Sequence, residues 1–170
     1  MRKILSLFTM SLLITFSFGV VTQAATEGTV TATVTAQNVA VTVSDGSITY
    51  GTLALSGTAN TNAGGLNDSQ TATNTGNVSS DLDIKSQNGT GGTAWTLAGS
   101  IGADQYRHDF CITDCDGTPT WVAMTTVYQT LASGVAGSGT QVFDTRISIP
   151  SSSTDYVQKS VDVFVQISAA

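Results

Sequence analysis

Charge is what this sequence lacks most. Only 11% of its 170 residues are charged, against about a quarter in an average soluble domain. Cations are scarcer than anions: Lys and Arg total 6, Asp and Glu total 12, and the net charge is −6. That balance excludes nucleic acid and anionic lipid as main partners. Glu27 is the only Glu, so the acids are almost all Asp. The shortage of Leu, Glu, Lys and Arg argues against a helical bundle. Cys occurs twice and His once, too few for a zinc-finger type of site. Pro also occurs twice.

One long apolar run is present, at the start. Met1-Arg2-Lys3 is basic, Ile4 to Val21 is mostly apolar over 18 residues, and Thr22-Gln23-Ala24 follows. This is the layout of a secretory signal peptide cleaved after Ala24, with an uncleaved anchor as the competing reading. Residues 1–24 are therefore expected to be a leader and residues 25–170 a single domain. Losing Arg2 and Lys3 would move the net charge from −6 to −8. No Cys follows the run to take a lipid, and no second apolar run follows to span a membrane. The expected location is secreted, extracellular or on the cell surface.

Thr and Ser replace the missing charge, with 25 Thr and 16 Ser after Ala24. They sit in alternating patterns of period two, the mark of half-buried strands. In Thr29-Val-Thr-Ala-Thr-Val-Thr-Ala36 the even positions are apolar, whereas Val39, Val41 and Val43 are odd. That change of parity predicts a bulge or tight turn at Gln37-Asn38. Asp45-Gly46 predicts a turn, with Ser47 to Tyr50 returning as a short strand. Leu55 to Leu66 reads as a loop and Gln70 to Asn74 as a strand. Asp81 to Lys85 alternates with Leu82 and Ile84 inward. Asn88 to Gly92 reads as the most flexible stretch. Trp95 and Leu97 share one strand face. Tyr106, His108, Phe110 and Ile112 share another, with Arg107, Asp109 and Cys111 opposite. Further strands are expected at Trp121 to Met124, Phe143 to Ile149 and Val161 to Ile167, while Thr125 to Leu131 is loop or strand. The expectation is all-β: an antiparallel two-sheet sandwich of Ig-like, Greek-key type with about nine short strands, or alternatively a β-barrel.

Few residues suggest chemistry. Cys111 and Cys115 form a disulfide by default in an exported chain, with a redox pair as the sharper alternative. Asp114-Cys-Asp116-Gly117 has the start of a calcium loop, and Asp109 lies near it. These three acids are the candidate calcium ligands, although the acidic residue that closes an EF-hand loop is missing; a solvated turn is the plainer reading. His108 has no Gly-x-Ser-x-Gly partner motif, and no pair of Asp is singled out as a glycosidase pair. An enzyme is not expected, and no cofactor is implied beyond that calcium. Asn67, Asn77 and Asn88 open Asn-x-Ser/Thr glycosylation patterns.

Two resemblances follow from particular motifs. Gly91-Gly-Thr-Ala-Trp95-Thr-Leu97 resembles the first Trp-x-Leu signature of the WxL-type surface domains of Gram-positive bacteria. That implies a wall-binding role for Trp95 and Leu97. The second such motif of that family has no counterpart here, since the last strand reads Val161-Asp-Val-Phe-Val-Gln-Ile167. Gln70-Thr-Ala-Thr-Asn74-Thr-Gly76-Asn77 resembles an element of Ig-like and camelysin-like exported proteins, some of which form fibres. Both resemblances imply a non-enzymatic surface or extracellular module whose partners are cell-wall polymer, other surface proteins or copies of itself. One alternative is a pilus-like subunit that donates Ala25 to Ala36 as a strand. The other is a carbohydrate-binding or hydrolytic domain using Trp95, Tyr106, Trp121 and Tyr128.

Overall fold

The computed structural model describes residues 27–170; the expected leader and its cleavage site lie outside them. Ten strands and no helix occur among the described residues. They are β1 (Val41–Ser44), β2 (Thr58–Asn60), β3 (Gln70–Asn74), β4 (Ser80–Ser86) and β5 (Thr96–Leu97). The chain continues through β6 (Gln105–Cys111), β7 (Val122–Ala123), β8 (Gln129–Val135), β9 (Thr140–Ser148) and β10 (Val163–Ala169). A seven-stranded sheet runs β1-β3-β9-β6-β5, with β2 on β9 and β7 on β6. A three-stranded sheet runs β10-β4-β8. The fold is all-β in two sheets, consistent with a sandwich whose larger sheet curls. Pairing is antiparallel except for the two-residue contact of β5 with β6. There the chain loops back tightly, with Asp104 in the left-handed region at φ 50°.

Alternation explains which side chains meet. Leu82 and Ile84 of β4 are fully buried, and Ala72, Phe110, Met124, Leu131 and Phe143 close around them. The Asp and Lys between them, Asp81, Asp83 and Lys85, are only partly covered. Val163, Val165 and Ile167 of β10 pack against this core but stay half-buried.

Asn74 ties the turns to this core. Its buried Nδ2 donates to the carbonyls of Val78, Val135 and Ala136 at 2.8, 2.9 and 3.2 Å. Its Oδ1 accepts from Gly76 N at 2.9 Å. Gly76 is required here by close approach rather than by a left-handed backbone: a Cβ would stand 2.3 Å from Asn38 O. Asn77 completes the anchor. Its Oδ1 accepts from Asn38 N and its Nδ2 donates to Ala36 O, at 2.8 and 2.9 Å.

Several expectations are corrected. Thr29 to Ala36 carries no strand, because none of the described residues pairs with it; Val30 and Val34 are 91% and 96% exposed. A strand's backbone groups need a partner, whatever the side-chain pattern. Ser47 to Tyr50 likewise forms no strand, although Asp45 and Gly46 take the left-handed values of a tight turn, φ 67° and 71°. Inside the expected loop at Leu55 to Leu66, β2 forms on β9 through Thr58↔Ser148, Ala59↔Ile147 and Asn60↔Arg146. Ile112 lies past the end of β6 and is 42% exposed rather than inward. Asn88 to Gly92, expected to be loose, is clasped. Thr90 and Ser160 exchange backbone hydrogen bonds at 2.8 and 2.9 Å, and Lys159 Nζ donates to Gly91 O at 2.6 Å.

Candidate functional site

An open groove of about 860 Å³ lies beside the core. Phe143, Ile147 and Ile149 line it from the β9 side, and Val163 and Val165 from β10. Tyr50, His108 and Trp95 also border it, as does the segment from Tyr156 to Asp162. It is left between the sheets because residues on either side of it, 46–53 and 154–159, form no strand.

A chain of hydroxyls and one imidazole closes the polar end. His108 sits on β6 with Tyr106, as the alternation predicts, and is buried. Its Nδ1 lies 3.1 Å from Ser86 Oγ and its Nε2 lies 3.2 Å from Tyr50 Oη. Tyr50 Oη in turn lies 2.6 Å from Thr145 Oγ1. Tyr106 donates to the carbonyl of Gln87 and touches Ser86 Oγ at 3.4 Å. Burial pushes the His108 pKa down to about 4, against a smaller raising effect of Asp109. Burial raises both phenols, Tyr106 to about 12 and Tyr50 further still. The network is thus neutral across the physiological range. Both ring nitrogens of His108 face hydroxyls, so the ring lacks the orienting carboxylate of a nucleophilic triad.

The rim is ionic. Asp155 lies 2.5 Å from Lys159 Nζ and accepts from Thr93 N. The Lys159 ammonium, then the Thr93 N–H, hold its carboxyl well below the usual range. Asp104 is lowered chiefly by the backbone N–H of Thr154.

The three candidate calcium ligands are not brought together. Asp109 is fully buried on β6, where Oδ1 accepts from Arg107 Nε at 2.6 Å. Its Oδ2 accepts from Arg146 Nε and Nη2 at 2.9 and 2.7 Å. Two guanidiniums thus neutralise this carboxylate, which a charged buried group requires. Asp114 and Asp116 stand in the next turn. There Asp114 Oδ2 accepts from Thr118 N at 3.0 Å, and Asp116 Oδ1 accepts from Ala63 N at 2.7 Å. Among the described residues no three His, Cys, Asp or Glu side chains converge as a metal site. Asp144 borders a cleft of about 280 Å³ together with Asp114 and Asp116. It accepts from Thr61 and Ser69 hydroxyls at 2.8 and 2.7 Å. Sequence reasoning missed Asp144, whose alternation places it opposite the inward row of β9.

Cys111 and Cys115 are joined by a disulfide, with Cα atoms 5.8 Å apart. It closes the turn after β6, and Asn62 Nδ2 donates to Cys115 O across to the β2–β3 loop at 2.6 Å. The closed loop is short, so the bond is worth about 2 kcal/mol by loop-closure entropy. A Cys111→Ser/Cys115→Ser variant should lose about that much in urea unfolding while keeping its native circular dichroism.

Trp95 is half-buried. Its ring meets Tyr106 at 6.5 Å, its Nε1 donates to Ser153 Oγ at 3.1 Å, and Lys159 Nζ lies 5.7 Å from the ring. Leu97 pairs with Tyr106 in the β5–β6 ladder. Trp95 thus borders the groove, while Leu97 is held through its backbone. Trp121 is likewise met by the Arg146 guanidinium at 4.9 Å. Of the Asn-x-Ser/Thr positions, Asn77 is committed to the Ala36–Asn38 anchor. Asn88 Oδ1 accepts from Leu97 N at 2.9 Å. Asn67 holds a left-handed φ of 54°.

No family model, curated protein or solved structure matches this chain. Among the described residues, no helix is long and apolar enough to cross a membrane.

Proposed function

We propose that this chain is an exported, non-enzymatic structural module of the cell surface or extracellular space. The Cys111–Cys115 disulfide carries the reading, because such bonds persist in oxidising compartments. The leader-like residues 1–24 point the same way. The residues with reactive chemistry are engaged in holding the fold: His108 by hydroxyls, Asp109 by two guanidiniums. The sheet faces carry Thr and Ser, which suits contact with wall polymer, other surface proteins or further copies. Fractionation of cells expressing the full chain tests this. The expected product starts at Ala25, is oxidised, and is found on the surface or in the medium. A reduced, unprocessed chain retained in the cytosol would overturn the reading.

A second reading, a self-assembling fibre subunit, is favoured by a specific observation. Residues 29–36 alternate Thr with Val and Ala yet form no strand ladder among the described residues, with Val30 and Val34 in solvent. Electron micrographs of the exported protein, with and without calcium, separate filaments from monomers. Calcium-dependent filaments would restore a role for Asp114 and Asp116.

A further inference from the structure

The sheet edges of this fold are not equally protected. Natural sheets shield exposed edges with short strands, bulges, charges or Pro, because unpaired N–H and C=O groups recruit other chains. The larger sheet ends in β1, of 4 residues, and β5, of 2. The β8 edge is distorted: its register with β4 shifts twice, Gly134 has φ 67°, and Asp81 Oδ1 captures the Gly134 N–H at 2.8 Å. The β10 edge has none of these devices. It pairs with β4 without interruption over Val163–Ala169 and contains no charge, Pro or Gly.

The backbone phase of β10 follows from one bond. Ala170 N donates to Ser79 O at 3.2 Å, so residues 164, 166 and 168 direct their backbone groups to β4. Antiparallel alternation then turns the N–H and C=O of Val163, Val165 and Ile167 to the free side. The inward side chains of these three are only half-buried, whereas their neighbours on β4, Leu82 and Ile84, are fully buried. Both the ladder and the apolar row therefore stop one strand short.

We propose that the β10 edge is the acceptor for residues 29–36 of a second copy of this chain, which add to it as a strand. The inference rests on the assembly reading and names its acceptor. Val30, Ala32, Val34 and Ala36 form one apolar row of small side chains that extends the row of Val163, Val165 and Ile167. Charge fits too. No charged residue occurs in 28–44 or 163–169 of a chain with net charge −6, so the joint avoids opposing carboxylates. Donor and acceptor are different surfaces, so the contact is head-to-tail and propagates into filaments unless a ring closes.

The test uses the exported product of the full chain and three variants. One lacks residues 29–36. One is Val30→Asp/Val34→Asp, placed in an exposed segment where it cannot unfold the sandwich. The third is Val165→Pro, which removes an N–H on the free side and leaves the β4 ladder intact. The wild-type protein should assemble with concentration. Each variant alone should remain monomeric with native circular dichroism, and the deletion variant mixed with Val165→Pro should form only a 1:1 dimer. Should Val165→Pro fail to fold, a synthetic peptide of residues 28–38 replaces it. Added to the deletion variant, the peptide should slow amide exchange at Val165 and Ile167 at least about tenfold. Assembly by Val165→Pro, or a peptide that protects neither amide, overturns β10 as acceptor and leaves the assembly reading standing. A monomeric wild type with protected residues 29–36 places the segment on its own chain and overturns the second copy. A monomeric wild type with that segment unprotected overturns the assembly reading itself.

Discussion

Asn74→Ala should be among the most damaging single substitutions in this protein, costing about 3 kcal/mol or more. The side chain is completely buried and serves three carbonyls and one N–H. Alanine leaves these groups without partners, and an unsatisfied buried polar group costs about 1–3 kcal/mol. The loss reaches two connections at once, the β3–β4 turn and the β8–β9 turn, because Val78 lies in one and Ala136 in the other. Urea unfolding should show a lower midpoint with unchanged slope. The melting temperature should drop by about 10 °C for a chain of this size. Asn74→Asp should be at least as harmful, since a carboxylate would face three carbonyl oxygens. A loss below about 1 kcal/mol would mean that water replaces the amide and that the pin is dispensable.

The second large effect should appear in acid. His108 titrates at 6.5 in an unfolded chain and at about 4 in the fold, because burial disfavours the imidazolium. Between those values the unfolded chain binds more protons than the native one, so stability falls as pH falls. The contribution is fully present above pH 6.5 and is lost through the window down to about pH 4. The full loss is about 3 kcal/mol. His108→Gln should flatten the stability profile between these two pH values while keeping a contact to Ser86 or Tyr50. Chemical denaturation at a series of pH values measures it; an unchanged slope in the variant would assign the acid limb to carboxylates instead. The buried phenols act at the other extreme. Tyr106 titrates at about 12 rather than 10.0, so its share of the stability is lost as pH rises through that interval.

Strands that carry their own pattern were the legible part of this fold. Gln70 to Asn74 and the Leu82/Ile84 alternation could be placed from residues alone, because burial on one face imposes a period of two. Pairing was less legible, being a property of two segments. Thr29 to Ala36 has a strong strand pattern and no neighbouring strand among the described residues. Thr58 to Asn60 has a weak pattern and becomes a strand because β9 lies beside it. The site was less legible again. Parity alone puts His108 on the apolar face, and compartment pairs Cys111 with Cys115. Parity puts Asp109 opposite that face, and only the fold brings Arg146, distant in sequence, next to it. The clasp on Gly91 was equally hidden, depending on Lys159 and Asp155 from the far end of the chain.

The four cations among the described residues are all engaged. Arg107 and Arg146 share Asp109, Lys159 holds Asp155, and Lys85 lies over the rings of Tyr128 and Phe164 at 4.5 and 5.2 Å. Carboxylates outnumber these cations, with Asp and Glu totalling 12 against 6 Lys and Arg in the whole sequence. Copies therefore repel one another at long range, and counter-ions must gather before they approach. That repulsion weakens once the screening length falls to about 8 Å at physiological ionic strength. Brackish or mineral-rich surroundings would thus lower the barrier to close approach between copies, and dilution into pure water would raise it.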